Sequence, residues 1–172
     1  MEDGAEELLS TALSIGNLRL SSEADVVSLS RTLVVTVGTP LDEFLNPVFR
    51  DISACFENLL PYLTNGQLII LRSTVYPGTT DWLHRWIGSK GLEVLVSFCP
   101  ERVVQGKAIE EVRSLPQIVS GTTPEAEEAA DQFFRLIDVE TVKLTPIEAG
   151  ARASWNRSML ARKDKRGDVR AL

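Results

Sequence analysis

A chain of 172 residues, 44% hydrophobic and 24% charged, is long enough for one domain with a real core. Its net charge of −6 argues against general nucleic-acid binding, which needs a basic face to neutralise phosphate. No apolar run approaches the ~20 residues of a membrane span, the opening MEDGAEELL has no signal-peptide pattern, and the two cysteines, Cys55 and Cys99, make no disulfide framework. A soluble protein of a reducing cytoplasm is therefore expected.

Residues 4–13 predict a short helix with Leu8, Leu9 and Leu13 on one side, stopped at Ile15-Gly16-Asn17. Leu18-Arg19-Leu20 alternates like a small edge strand, and Ser21 to Ser30 is polar and helical only in part. Thr32 to Val37 is the first clear strand, β-branched and closed by Gly38-Thr39-Pro40. From Pro47 to Leu63 apolar residues recur at helical spacing, with Asn46 as a candidate N-cap. Leu68 to Leu71, between Asn65-Gly66 and Pro77-Gly78, reads as a strand buried on both faces. A helix over about Thr79 to Ser89 follows, then Gly91 and a strand over Leu92 to Val96. Gln117 to Ser120 predicts a fourth strand, and Thr122-Thr123-Pro124 opens a helix to about Ile137 with acidic residues in its first turns. Glu140 to Leu144 predicts a fifth strand, and Pro146 opens a last helix. Alternation of strand and helix is the rhythm of right-handed crossovers, so the expected fold is a doubly wound, Rossmann-like, mostly parallel α/β sheet.

Ligands of such sheets bind outside the carboxyl ends of the strands. Three loops leave those ends: Gly38-Thr39-Pro40, Ser73-Thr74-Val75 and Pro100-Glu101-Arg102. Gly38 permits close approach of a ligand to the backbone, and Pro40 fixes the loop's exit. The hydroxyls of Thr39 and Thr74 suit an amide, a ribose or an ordered water. Ser73 and Thr74 either serve such a site or cap the following helix. Glu101 is either a general base or the partner of Arg102 or another nearby cation. Cys55 and Cys99 read as buried core thiols, and His84, between Trp82-Leu83 and Arg85-Trp86, as a packing or surface residue.

Taken together, VGTPLDEFLNP, GQLIILRSTVYPGTT, FCPERVVQGKAIEEV and LPQIVSG resemble the UDP-glucose/GDP-mannose dehydrogenases. CPER followed by GKA is most like the UDP-N-acetylmannosamine (or UDP-N-acetylglucosamine) branch. The resemblance implies NAD-dependent oxidation of the C6 alcohol of a UDP-sugar to the uronic acid, through a cysteine-bound thioester. By position, Val37, Gly38, Thr39 and Pro40 resemble one NAD-lining loop and Ser73, Thr74 and Val75 another. Thr74 resembles the threonine that orders the catalytic water, and Glu101 the general base. Glu101, Arg102, Val103, Val104 and Gln105 resemble the segment along the nucleotide sugar, Gln105 also touching the cofactor.

The family's opening strand, its GxGxxG phosphate loop and its acidic ribose ligand are not found in this sequence, nor are its nucleophilic cysteine, lysine and asparagine. Residues 1–146 are therefore expected to be the C-terminal part of an NAD-binding domain without its first βαβ unit, inactive alone. Residues 147–172 form a divergent basic tail: from Ala151 onward there are seven Lys or Arg against two Asp. That tail reads as a truncated or shifted segment, or as a basic patch for an anionic partner. The family forms homo-oligomers, through a dimerisation domain these residues do not resemble. No metal, membrane or nucleic-acid partner is expected. Two other readings stand beside this one: a non-catalytic α/β module that pairs with a complementary or full-length polypeptide through an exposed sheet edge, and an unrelated α/β enzyme using Glu101.

Overall fold

The computed structural model describes residues 4–37, 50–103 and 106–150. Helix α1, Ala5–Ser14, is followed by a 3-10 turn at Ala24–Leu29 and strand β1, Thr32–Val35. Then come α2, Arg50–Leu59, β2, Leu68–Leu71, α3, Thr79–Gly88, and β3, Leu95–Phe98. The chain continues through α4, Ala108–Ser114, β4, Gln117–Gly121, α5, Pro124–Arg135, and β5, Thr141–Lys143. It is helical again at 146–150.

The five strands lie side by side in chain order, β1-β2-β3-β4-β5. Strands β1, β2 and β3 are parallel and in register, Val35 beside Leu71 and Leu71 beside Phe98. All four residues of β2 are buried, as its continuous apolar run predicts for a strand covered on both faces. Its side chains alternate between two cores. Ile69 and Leu71 pack with Ile52 and Phe56 of α2 and Leu83 and Ile87 of α3, while Leu68 and Ile70 pack with Cys99, Val119, Ala130 and Phe134. Burying each large aliphatic side chain contributes about 1.5–3 kcal/mol.

One strand departs from the predicted parallel rhythm. β4 runs antiparallel to β3, Ser97 facing Gly121 and Phe98 facing Ser120, and β5 runs parallel to β4. Both ends of the β3–β4 connection are fixed at the rim of the sheet: Arg72 holds the Cys99 carbonyl at 3.1 Å and the Arg102 guanidinium holds the carbonyl of Pro116. Entering β4 from that rim, the chain has to run back the other way. Element ends shift as well. β1 stops at Val35, two residues short of the predicted end. β3 lies a few residues later than Leu92 to Val96. α2 gives way to a 3-10 turn at Leu60–Tyr62, where Pro61 cannot supply a helical N–H. The candidate cap Asn46 lies outside the described residues.

Leu18 to Leu20 forms no strand. A lone strand leaves its peptide groups unpaired, and no strand among the described residues lies beside it; Leu20 is 75% exposed. The predicted apolar side of α1 is likewise uncovered, because Leu8, Leu9 and Leu13 are all exposed.

Helix α5 is the best anchored. Thr123 accepts from the Ala126 amide at 3.2 Å and Pro124 occupies the first turn, a cap contributing about 1 kcal/mol. Ser97 donates to the Ala126 carbonyl at 2.7 Å from the strand beneath. Gly121 ends β4 hard against the first turn of the helix. At its other end Asp131, 1% exposed, accepts from Thr141 of β5 and pairs with Arg135 at 2.9 Å. The hydrogen bond from Thr141, then Arg135, holds the Asp131 carboxyl below the usual range. The last helical segment opens on a capping box, Thr145 and Glu148 exchanging bonds of 3.0 and 3.4 Å, with Pro146 between them.

Candidate active site

Parallel register brings the carboxyl ends of β1, β2 and β3 to one rim. Backbone bonds continue past the strands: the Arg72 amide donates to the Val35 carbonyl at 2.9 Å, Cys99 to Leu71 at 3.0 Å, and Glu101 to Arg72 at 2.8 Å. The Ser73 hydroxyl donates to the carbonyl of Thr36. Ser73-Thr74-Val75 therefore lies between Thr36-Val37 on one side and Glu101 on the other. Two of the three predicted loops lie side by side; the third, Gly38-Thr39-Pro40, lies outside the described residues, which end there at Val37. So do Val104 and Gln105.

The members of this rim differ in what they present. Ser73 and Thr74 are half-buried, and Ser73 spends its proton on the Thr36 carbonyl, tying one loop to the next. Val75 turns its side chain into the core, 5% exposed. The Arg102 side chain is turned back on the protein, onto the Pro116 carbonyl, and Val103 is half-buried beside it. A shallow cleft of about 540 Å³ lies elsewhere, beside β5, lined by Arg135, Asp138, Val139, Glu140 and Thr141. It is open and polar, and none of the predicted site residues lines it.

Glu101 pairs with a cation, and the cation is Arg72. Arg72 Nη2 donates to Glu101 Oε2, and the other oxygen, Oε1, accepts from the amides of Arg102 at 2.8 Å and Val103 at 3.2 Å. Of the two readings of Glu101, base or ion-pair member, the structure displays the ion pair, and the pair stands on the predicted rim. Arg72 also donates to Gln117 Oε1 at 2.7 Å, and the Phe134 ring lies 5.2 Å from its Cζ. Sequence reasoning passed over both Arg72 and Gln117. The signal for Arg72 was present, since a cation directly after a fully buried apolar run demands partners. Gln117 carried none, because it reaches the rim only through the reversed direction of β4.

Cys99 is fully buried, and burial pushes its thiol up to about 12, against smaller opposing effects of the Ser120 backbone and Arg72. Cys55 is half-buried rather than a core thiol, and burial raises it too. Cys99 stays a thiol, the poorly reactive form, near neutral pH. Ellman's reagent is therefore expected to modify Cys55 first and Cys99 only on unfolding. Equal rates for the two in the native chain would contradict the burial described. Among the described residues no cluster of three or more His, Cys, Asp or Glu could hold a metal ion, and no helix is long and apolar enough to cross a membrane.

Residues 1–138 match the NAD-binding domain of the UDP-glucose/GDP-mannose dehydrogenase family. The chain is 29% identical over 141 residues to the UDP-N-acetyl-D-mannosamine dehydrogenase of Methanocaldococcus jannaschii, covering 80% of this chain and 32% of that protein. It is 32% identical over 127 residues to the UDP-N-acetyl-D-glucosamine 6-dehydrogenase of Pseudomonas aeruginosa, covering 70% of this chain and 30% of the relative. The solved UDP-D-ManNAc dehydrogenase from Pyrococcus horikoshii has the same fold over 93% of this chain and 40% of its own, with a TM-score of 0.87 at 22% identity. The chain thus spans about a third of the length of the curated relatives it matches. These likenesses favour the dehydrogenase reading over both a non-catalytic module and an unrelated enzyme.

Proposed function

Because the chain belongs to the UDP-glucose/GDP-mannose dehydrogenase family, we propose that its rim serves the NAD-dependent oxidation of the C6 alcohol of a UDP-sugar, UDP-N-acetylmannosamine or a close relative, to the uronic acid. One observation carries this reading: the Glu101 amide bonds the Arg72 carbonyl at 2.8 Å, which sets the carboxylate loop beside Ser73-Thr74 on the same edge of the sheet. Hydroxyl and carboxylate would then face one ligand, the arrangement needed to orient a water and take its proton.

The neutral groups along Val37, Ser73 and Thr74 fit the amide and ribose of a nicotinamide nucleotide, which ask for hydrogen bonds rather than charge. A NAD bound there would bring the hydride acceptor, with the Val75 backbone beside it; Gly38, Thr39, Pro40 and Gln105, which the family resemblance adds to the cofactor's lining, lie outside the described residues. Thr74 would hold a water through its hydroxyl, and Glu101 would accept that water's proton at Oε2. Arg102, Val103, Val104 and Gln105 would lie along the sugar nucleotide, in a reducing cytoplasm. Their use requires the Arg102 side chain to leave the Pro116 carbonyl. Residues 1–146 would act as the C-terminal part of the NAD-binding domain and 147–172 as the divergent segment after it, which begins in a helical turn whose Ala149 packs in the domain's core.

This chain contains no GxGxxG loop to cradle the pyrophosphate at a helix N-terminus. Its affinity for NAD is therefore expected to be weak, on the order of millimolar, with no NAD reduction when UDP-N-acetylmannosamine is added. An amide NMR titration with NAD checks this: the largest shifts should fall on Ser73, Thr74 and Val75. Shifts confined to other surfaces, or steady NADH formation by the purified chain, would refute the reading.

A further inference from the structure

Arg72 is 8% exposed at the end of a strand buried on both faces. A guanidinium is stable there only when its donors are matched. Nη1 serves the Cys99 carbonyl at 3.1 Å and Gln117 Oε1 at 2.7 Å, while Nη2 serves Glu101. Gln117 is itself 4% exposed, and its Nε2 donates to the Leu115 carbonyl at 3.3 Å, which fixes which way its oxygen points. The Phe134 ring covers the guanidinium from the α5 side at 5.2 Å. The fork is thus held from strand β4 and helix α5, neither of which carries a predicted site residue.

The consequence falls on Glu101. A carboxylate offers about four acceptor positions. Two on Oε1 take the Arg102 and Val103 amides, and one on Oε2 takes Arg72. Among the described residues one position on Oε2 is left, and the Glu101 side chain is 37% exposed. We propose that Arg72, locked by Gln117, is a positioning residue that holds the Glu101 carboxylate in one orientation, with a single acceptor position on Oε2 turned to a hydroxyl or water donor. This rests on the reading of Glu101 as the carboxylate of the site, and deepens it. The Gln117–Arg72–Glu101 chain selects a donor ligand: a water or sugar hydroxyl satisfies the open position, whereas an anionic group meets a carboxylate.

Isotope-labelled wild-type chain tests this directly. A scalar coupling through the hydrogen bond, between Arg72 Nη2 and the Glu101 side-chain carboxyl carbon, is expected at neutral pH. Gln117→Met removes the acceptor that locks Arg72. The coupling should disappear, and the Arg102 and Val103 amides should exchange roughly ten- to a hundredfold faster, the range set by charge-assisted hydrogen bonds. Exchange at Leu71 and Val96, inside the strands, should stay as in the wild type. If Gln117→Met does not fold, Arg72→Lys takes its place: one ammonium cannot bridge Gln117 and Glu101 as the planar fork does, and the same local acceleration is expected. The proposal is overturned if the wild type shows no coupling, if the coupling persists unchanged in Gln117→Met, or if exchange rises equally at Leu71 and Val96. Loss of NAD-induced shifts at Ser73 to Val75 with the coupling intact would instead refute the dehydrogenase reading alone.

Discussion

Gly121→Ala is expected to destabilise the fold by about 3 kcal/mol or more, at the upper end of what overpacking costs. A methyl group there would lie 2.2 Å from the Glu127 amide nitrogen, 2.7 Å from the Thr123 carbonyl oxygen and 2.8 Å from the Ala126 carbonyl carbon. All three are backbone atoms in the first turn of α5, so no side chain can swing aside. The helix itself would have to lift. Lifting it loosens Ala126, Ala130 and Phe134 from the sheet and stretches the bond from Ser97 to the Ala126 carbonyl. For a domain of this size each kcal/mol lowers the melting temperature by about 2–4 °C, so a fall of roughly ten degrees is expected in a thermal melt. A change under about 2 °C would show that α5 does not sit on Gly121 as described.

Arg72→Met should cost about 3 kcal/mol, the lower part of the range for removing one partner of a buried ion pair. Met matches the aliphatic stem, so what is lost is the guanidinium, its donors and its contact with the Phe134 ring. Glu101 keeps two backbone donors and is partly exposed, so water can replace Arg72 on that oxygen. Gln117 Oε1 has no such recourse, since the residue is 4% exposed, and the Cys99 carbonyl loses its guanidinium donor in the same buried place. Urea denaturation of wild type and variant, compared at equal slope, measures the difference. A loss below about 1 kcal/mol would mean that the guanidinium is solvated and the buried network is not formed.

The central strands were legible because their physics is local. Leu68 to Leu71 has nothing but apolar side chains between two turn signals, and such a run has few places to go except between two layers. The carboxylate of Glu101 and the hydroxyls of Ser73 and Thr74 were legible for the same reason, as polar groups just past buried strands. What escaped depends on partners far along the chain. Leu18 to Leu20 has the alternation of a strand, yet alternation forms nothing without a neighbour to pair with. The direction of β4 is set by where the preceding loop is pinned, and that pinning comes from Arg72 and Arg102 reaching across the rim. With the direction of β4 went Gln117, placed at its start and hence beside Glu101 rather than at the far edge.

Spatial order and chain order of the strands coincide across this sheet. Each new strand therefore docks on one that has already emerged, and none leaves a gap to be filled by a later segment. The crossovers are long, however: Thr32 pairs with Leu68 and Leu68 with Leu95, so each parallel pairing must first close a long connection, which slows folding. A nascent chain leaving the ribosome can add these strands in the order of synthesis, but the second face of β2 is sealed only when Val119 of β4 and Ala130 and Phe134 of α5 have emerged, and until then Leu68 and Ile70 stay open to other chains.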